Sequence, residues 1–343
     1  MEKNQIREYI IDRLHREGDK SLVSNIIQAC GTTQATTYRY LKELESEGII
    51  ERKNKSVILK ETEKKWSFSN NDRFFQQDNL FYDEIIYPHL KKLPQNVIQI
   101  WDYCFTEMMN NVIDHSGTKK VDIILQFNSA TTKIYLRDYG IGIFRNVMEV
   151  FDLPSVNDSY AELIKGKLTT DADNHSGEGL FFTSRGLDFF AAIANGIQYT
   201  YNKYEEINIL LDENKYFSDF DQTGTLIYME LSNNSKKTMK ELFDRYTDEN
   251  FVFNKTIIPV KNIFPYPVSR SQANRMMNRC DQFSEVTLDF CGIDAIGQGF
   301  ADQIFRIYIR KNPEVKILAK NMSPTVERMV RHVQKTGHLP EGR

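Results

Sequence analysis

Three short stretches hold most of the side chains that could do chemistry. The first, residues 107–116, contains Glu107, Asn111 and Asp114 at i, i+4 and i+7, which puts all three on one face of a helix. The amide oxygen of asparagine is a hard ligand that Mg²⁺ accepts, and a carboxylate one turn away can take a proton from an attacking water. The same spacing also fits a solvated helix face, so this stretch alone decides nothing.

The second stretch is Asp138-Tyr-Gly140-Ile-Gly142. It follows residues 121–127 and 133–137, whose apolar patterns predict a pair of strands. Glycines at alternate positions let the backbone pass close to a ligand and give the chain a hinge. Taken alone, the pattern is also that of a simple turn.

The third stretch contains Gly177, Gly179 and Leu180, and it precedes a predicted helix over residues 181–190. The first turn of a helix exposes backbone N–H groups at its positive end. Glycines just before that turn allow phosphate oxygens to reach those groups. The third stretch therefore suits an anion.

In order and spacing, the three stretches resemble the N, G1 and G2 boxes of the GHKL ATPases, the family of gyrase-type topoisomerases, MutL, sensor histidine kinases and anti-sigma-factor kinases. The resemblance implies a Bergerat-type α/β sandwich that binds ATP and Mg²⁺. It implies Glu107 as general base, Asn111 as Mg²⁺ ligand and Asp138 as acceptor for the adenine amino group. The full set of implied nucleotide contacts is Asn111, Asp138, Gly140, Gly142, Gly177, Gly179 and Leu180.

A polar segment, residues 144–176, separates the second stretch from the third and is interpreted as a lid that orders over a triphosphate. Two histidines, His115 and His175, flank the stretches, and we interpret both as structural rather than catalytic. The polar residues of the predicted lid include Lys165, Lys167, Thr169, Thr170 and Asp171.

The fate of ATP stays open at this point. No helical hairpin with a phosphoacceptor histidine precedes residue 78, and His15 falls within an apolar helix pattern and is followed by Arg16, so autophosphorylation on histidine is not expected. Glu107 is compatible with slow hydrolysis, and the Gly-Glu-Gly-Leu-Phe-Phe run most resembles the anti-sigma-factor kinases. Hydrolysis, transfer to a serine or threonine of a partner, and sensing of ATP all remain alternatives.

Residues 1–62 show three apolar helical patterns followed by two short strand patterns, and this order resembles winged helix-turn-helix regulators. The third helix is predicted to bury Tyr38, Leu41 and Leu44 and to enter the major groove of double-stranded DNA. The residues expected to face DNA are Gln34, Thr36, Thr37, Arg39 and Tyr40 on the helix, with Lys53 and Lys55 on the hairpin.

The charge of this region leaves a second interpretation. Residues 1–60 hold 11 lysines and arginines against 9 aspartates and glutamates, a modest surplus for a DNA-binding surface. Winged helices also dock proteins or form dimers, so a protein-binding role without DNA is the alternative. Residues 63–78 lack periodicity and are predicted to be a linker to the ATP-binding domain, residues 79–232.

After a polar connector, residues 233–260, the chain alternates helices and strands over residues 261–335. This part resembles the STAS-like domains (DUF4325-type) fused to such ATPases, which are themselves similar to anti-anti-sigma factors. Where those partners carry an Asp-Ser pair, this chain has Gly297-Gln298, so no hydroxyl can accept phosphate there. We interpret the domain as a regulatory partner that docks on the ATPase domain or on another chain.

The composition agrees with a folded α+β protein: hydrophobic residues make up 41% and charged residues 27%, with a formal net charge of −3. The four cysteines show no metal-ligand spacing and fit buried thiols in a reducing compartment. No apolar run approaches the length of a membrane-spanning helix. We therefore expect a cytoplasmic protein that does not cross a membrane, and the family resemblance suggests a homodimer.

Overall fold

A computed structural model describes residues 1–18, 20–54, 56–76, 80–167, 178–202 and 223–336. The described chain mixes α-helices and β-strands in three sheets, which agrees with the predicted α+β class. None of the described helices is long and apolar enough to cross a membrane.

The N-terminal unit has the three predicted helices and the predicted hairpin. Thr33 begins the third helix by accepting a hydrogen bond from the backbone N–H of Thr36, and Gly31 ends the second in the left-handed conformation. Ten buried hydrophobic side chains among the described residues of this unit form a cluster of their own. Its elements are α1 (Lys3–Glu17), α2 (Leu22–Cys30), α3 (Gln34–Ser46), β1 (Ile50–Lys53) and β2 (Ser56–Leu59).

The central unit is built on a six-stranded sheet in the order β3-β4-β5-β8-β6-β7, with every neighbouring pair antiparallel. Its strands are β3 (Thr62–Ser69), β4 (Lys120–Phe127), β5 (Thr131–Asp138), β6 (Phe189–Ala194), β7 (Ile197–Asn202) and β8 (Leu226–Ser232). A π-helical turn (Phe81–Ile86) leads into its helices α4 (Tyr87–Leu90), α5 (Gln95–His115), α6 (Ile143–Val150), α7 (Val156–Lys165) and α8 (Gly179–Gly186), and α9 (Met239–Tyr246) follows β8.

The structure differs from the predicted linker at residues 63–78, because β3 is the edge strand of the central sheet. Trp66 pairs with Ile123 of β4, and Phe68 pairs with Val121. Both aromatic side chains pack against the core, whereas the side chains beside them are exposed. The alternation of apolar and polar residues covers only Trp66 to Phe68, which is too short a pattern to distinguish a strand from a loop.

The described part of the predicted lid, residues 144–167, is largely helical. Both α6 and α7 lie within residues 144–176 or overlap them. Helix α7 buries six of its ten residues, among them the charged side chains of Glu162 and Lys165. Thr169, Thr170, Asp171 and His175 lie outside the described residues.

The helix predicted over residues 181–190 begins two residues earlier and ends at Gly186, and β6 starts at Phe189. Every residue of β6 is buried, so it reads as an unbroken apolar run in which strand and helix are hard to tell apart. The predicted chain order of helix and strand is kept.

The C-terminal unit is a three-stranded parallel sheet in the order β11-β10-β9 with helices between the strands. The predicted elements after residue 268 are present, and the sheet gains β9 from within the predicted connector. Its hydrophobic core is continuous with that of the central unit. The elements are β9 (Lys255–Pro259), α10 (Val260–Ile263), α11 (Arg270–Met277), β10 (Glu285–Asp289), α12 (Gln298–Asp302), a π-helical turn (Gln303–Tyr308), α13 (Ile309–Lys311), β11 (Lys316–Lys320) and α14 (Pro324–Thr336).

Candidate functional site

Helix α5 separates its apolar and polar residues as the sequence predicts. Its apolar stripe is buried in the core, with Trp101 and Phe105 fully inaccessible. Glu107 and Asn111 are half-buried one turn apart, and Asp114 is exposed. A long helix anchored by a buried stripe holds the two candidate ligands at a fixed separation.

The start of α8 lies directly against Glu107. A Cβ atom added to Gly179 would come 2.0 Å from Oε2 of Glu107, a separation that two atoms cannot share. An alanine at position 179 would push this carboxylate aside, so the observed approach of backbone to carboxylate uses the missing side chain of glycine. The contact joins residues 72 positions apart and brings the third glycine stretch to the polar face of α5.

The loop after β5 lies against the C-terminal end of α5. A Cβ atom on Gly140 would come 1.9 Å from the carbonyl oxygen of Ser116, and the N–H of Ile141 donates to that same oxygen at 3.0 Å. The second stretch is thus fixed at the C-terminal end of the helix that carries Glu107 and Asn111.

Asp138, at the end of β5, is almost fully buried, with 3% of its surface exposed. Burial raises the pKa of its carboxyl group, while hydrogen bonds from the N–H of Gly140 and from Thr225 partly offset that rise. Gly224 allows this arrangement, because a Cβ atom there would come 2.2 Å from the carbonyl oxygen of Asp138. Sequence reasoning missed Gly224 and Thr225, whose only signal is a Thr-Gly-Thr run before a strand.

Gly142 adopts a positive φ of 88°, and the carboxamide of Asn195 lies over it. The amide group of Asn195 donates to the carbonyl of Ile141, and its oxygen accepts from the N–H of Arg145. Asn195 therefore holds the loop on both sides of Gly142 and fixes the start of α6. It occupies the turn between β6 and β7, so no local pattern around residues 138–142 could have identified it.

A shallow depression of about 240 Å³ lies beside Glu107. Tyr103, one turn before Glu107, lines it. Burial, together with the nearby carboxylates of Glu107 and Glu178, raises the pKa of the Tyr103 hydroxyl. Its position at i−4 from Glu107 was a signal that sequence reasoning did not use. The other lining residues are Gln99, Asp102 and Thr106.

The structure therefore brings Glu107, Asn111, Asp138, Gly140, Gly142 and Gly179 to one helix and the loops packed on it. The Leu180 side chain is 8% exposed and belongs to the core, so only its backbone can meet a ligand. Gly177 lies outside the described residues.

The oxygen-bearing side chains of Glu107 and Asn111 lie one turn apart on α5. Within the described residues, no cluster of three or more His, Cys, Asp or Glu side chains could hold a metal ion. Mg²⁺ commonly takes one or two protein oxygens and completes its shell with phosphate oxygens and water. Asn111 lies one helical turn from Glu107, whose carboxylate faces the backbone of Gly179, and this arrangement is compatible with that mode.

The N-terminal unit requires two corrections to the predicted DNA-facing residues. Thr37 is fully buried, its hydroxyl bonded to the carbonyl of Thr33, and Tyr40 is only 8% exposed. Tyr38, predicted to be buried, is 48% exposed. The buried residues of α3 are Thr37, Tyr40, Leu41 and Leu44. The sequence pattern did not indicate this face, because the polar side chain of Thr37 does not look like a core residue.

The exposed face of α3 carries two cations, Arg39 and Lys42, and the charge of Arg39 interacts with that of Glu43 one turn away. Gln34, Tyr38, Arg39 and Lys42 are exposed, and Thr36 is half-buried. The acidic residues of the same helix pair elsewhere: Glu43 with Lys3, and Glu45 with Arg52. Lys53, at the end of β1, is exposed, while Lys55 lies outside the described residues.

Comparison with known families gives one match, to the STAS-like domain of unknown function (DUF4325), over residues 272–327. The match spans α11 to the first turn of α14, so the C-terminal unit contains a STAS-like domain. Gly297 precedes α12 there, and Gln298 is exposed at its first position. A comparison with curated proteins found no match.

Proposed function

We propose that the protein is an Mg-ATP-responsive regulator. In this proposal the central unit is a Bergerat-type ATP-binding domain of the GHKL kind, the N-terminal unit is a winged helix that binds double-stranded DNA, and the STAS-like unit responds to the nucleotide state. The observation that carries the proposal is the meeting of three sequence stretches on α5, through the Gly179–Glu107 and Gly140–Ser116 contacts.

Each side chain has a task that its surroundings support. Asp138, buried and held by Thr225, would accept a hydrogen bond from the adenine amino group, and Asn111 would hold the Mg²⁺ that bridges phosphate oxygens. Backbone N–H groups at the start of α8 would receive phosphate oxygens. Oε2 of Glu107 lies beside that start and would take the proton of an attacking water.

The test is ATP binding measured by equilibrium titration with and without Mg²⁺, on the wild type and on Asp138→Asn. The asparagine variant presents an amide donor toward the adenine amino group, so we expect a loss of affinity of about tenfold or more. Asp289→Asn is a matched control, because Asp289 also ends a strand and accepts the N–H two residues later. Absence of saturable binding by the wild type would refute the proposal.

The rate of phosphate release distinguishes ATP hydrolysis from ATP sensing and from phosphate transfer to a partner. If Glu107 is a general base, Glu107→Gln will bind Mg-ATP but release phosphate at least about a hundredfold more slowly. Binding without phosphate release in either protein would favour a sensor or a serine/threonine kinase without its substrate. Phosphate appearing on a partner protein would support the kinase.

The DNA-binding part of the proposal is supported by the exposed cations of α3. A helix that presents Gln34, Tyr38, Arg39 and Lys42 together suits both base edges and phosphates. Retention of labelled duplex DNA that weakens as salt increases is the expected result. Failure to retain duplex at low salt would favour the alternative in which this unit docks a protein.

A further inference from the structure

The C-terminal unit packs on the two helices that flank the candidate nucleotide site. Strand β9 and helix α11 contact α7, and Phe253, just before β9, packs on α8 with its ring centroid 4.6 Å from that of Phe181. Arg185 of α8, buried among aromatic rings, donates to the carbonyl of Ile257 in β9. Any movement of α7 or α8 must therefore be matched by the C-terminal unit.

The centre of this interface is a buried charge cluster. Glu162 and Lys165 of α7 pair at 2.8 Å, and their side chains are only 5% and 1% exposed. The remaining partners come from the end of α11: the amide of Asn278 donates to Glu162, the carbonyl of Asn278 accepts from Lys165, and Arg279 lies 3.8 Å from Glu162. Buried charges need all their partners, so the cluster fixes the docked position closely.

Lys167, two residues after Lys165, is held by the same unit. Its ammonium group donates to the carbonyl of Gln282 at 2.8 Å and lies over the ring of Phe283 at 4.9 Å. Burial lowers the pKa of Lys167, while Glu178 and Asp248 act against that change. The Lys167 ammonium also lies 5.8 Å from the centroid of the Phe253 ring. That ring packs on Phe181 in the first turn of α8, the helix whose start meets Glu107.

We infer that the C-terminal unit is an inhibitor bound in cis, which withholds Lys167 and α7 from the nucleotide while it is docked. A Lys167 ammonium bonded to the Gln282 carbonyl is not available to a phosphate, so docking and full contact with the triphosphate exclude each other. By linkage, Mg-ATP must weaken docking by the same factor by which docking weakens Mg-ATP binding. The inference rests on the proposed ATP-binding function.

The experiment is a double-mutant cycle on the full-length protein. Asn278→Ala with Arg279→Asn removes two contacts to Glu162 without altering the central unit, and asparagine tolerates the positive φ of 57° at position 279. We expect this released variant to bind Mg-ATP at least about fivefold more tightly than the wild type. Asn278→Ala alone is the milder variant if the double change impairs folding.

The second arm of the cycle is Lys167→Asn. We expect it to cancel most of the gain in affinity of the released variant, because asparagine at position 167 cannot replace the ammonium group at a phosphate. Lys316→Ala is the matched control, because its ion pair with Glu285 lies on the surface of the same unit. It should leave the affinity unchanged.

The outcomes separate this inference from the proposed function. Equal or weaker Mg-ATP binding by the released variant overturns the inference while leaving ATP binding intact. Binding by the released variant alone supports the strongest form of inhibition. Binding by neither protein refutes the proposed function, and the inference with it.

Discussion

Helices α5 and α7 each carry a glutamate, and the two glutamates lie in different surroundings. Glu107 of α5 is half-buried, and its carboxylate faces the backbone of Gly179. Glu162 and Lys165 of α7 are buried, and each has partners within the protein. Residue type therefore does not separate the two glutamates. What separates them is burial: Glu162 lies inside the interface with the C-terminal unit, and Glu107 is partly open to solvent.

The largest effect should come from removing one member of the buried pair. Lys165→Met takes away the cation and leaves Glu162 with fewer donors, so we expect the free energy of unfolding to fall by about 3 kcal/mol. Chemical denaturation measures it. Lys240→Ala, which breaks an exposed pair with Asp244 one helical turn apart, should cost less than about 0.5 kcal/mol. Equal effects of the two changes would contradict the claim that burial makes the α7 pair depend on its partners.

A smaller effect on stability, but a direct one on the site, is expected from Gly179→Ala. The added methyl group must displace the carboxylate of Glu107, so we expect Mg-ATP affinity to fall about tenfold. Gly299→Ala is the control at another helix start, since its Cβ would have nothing closer than 3.4 Å. An alanine variant that binds as the wild type does would show that this contact is not part of the site.

The pH dependence of stability should reveal the buried carboxyl group of Asp138. Burial raises its pKa in the folded protein, so the stability that it contributes is present below its unfolded pKa of about 4 and is lost as the pH rises through the folded value. Asp138→Asn removes this dependence. The free energy of unfolding of the variant should therefore rise relative to the wild type between pH 4 and neutrality, measured by urea titration. A constant difference would contradict the raised pKa.

The smallest effect is expected for duplex binding by α3, a helix that carries both ion-paired acidic residues and exposed cations. Arg39→Ala should weaken duplex binding and reduce the slope of log affinity against log salt by about one. Arg16→Ala is the control, because Arg16 pairs with Asp12 on α1. If both changes alter the slope equally, the DNA contact does not depend on the α3 face.

The sequence predicted most elements whose pattern is long and local. The apolar stripe of α5 spans about four turns. The three helices of the N-terminal unit have clear starts and ends, and all of these helices are present in the structure. Strand β3 was not predicted, because apolar and polar residues alternate only from Trp66 to Phe68. The strand is stabilised by its pairing with β4 in the sheet. The prediction that Thr37 and Tyr40 face DNA was wrong, because an amphipathic side chain can lie on either the buried or the exposed face of a helix.

Only part of the site was predictable, because local patterns can be recognised in a sequence and long-range contacts cannot. Glu107, Asn111 and Asp138 belong to recognisable local patterns. Asn195 and Thr225 reach the second stretch from more than 50 positions away, and no local pattern records such contacts. The burial of Glu162 and Lys165 depends on Asn278, which is farther still.

The central claim is that three separated stretches form one Mg-ATP site on α5. Hydrogen–deuterium exchange of the wild type with and without Mg-ATP tests it most directly, because each stretch reports separately. We predict that residues 107–116, 138–142 and 178–182 gain protection together, at a nucleotide concentration that tracks saturation. Protection limited to one stretch, or to none of them, would contradict the claim.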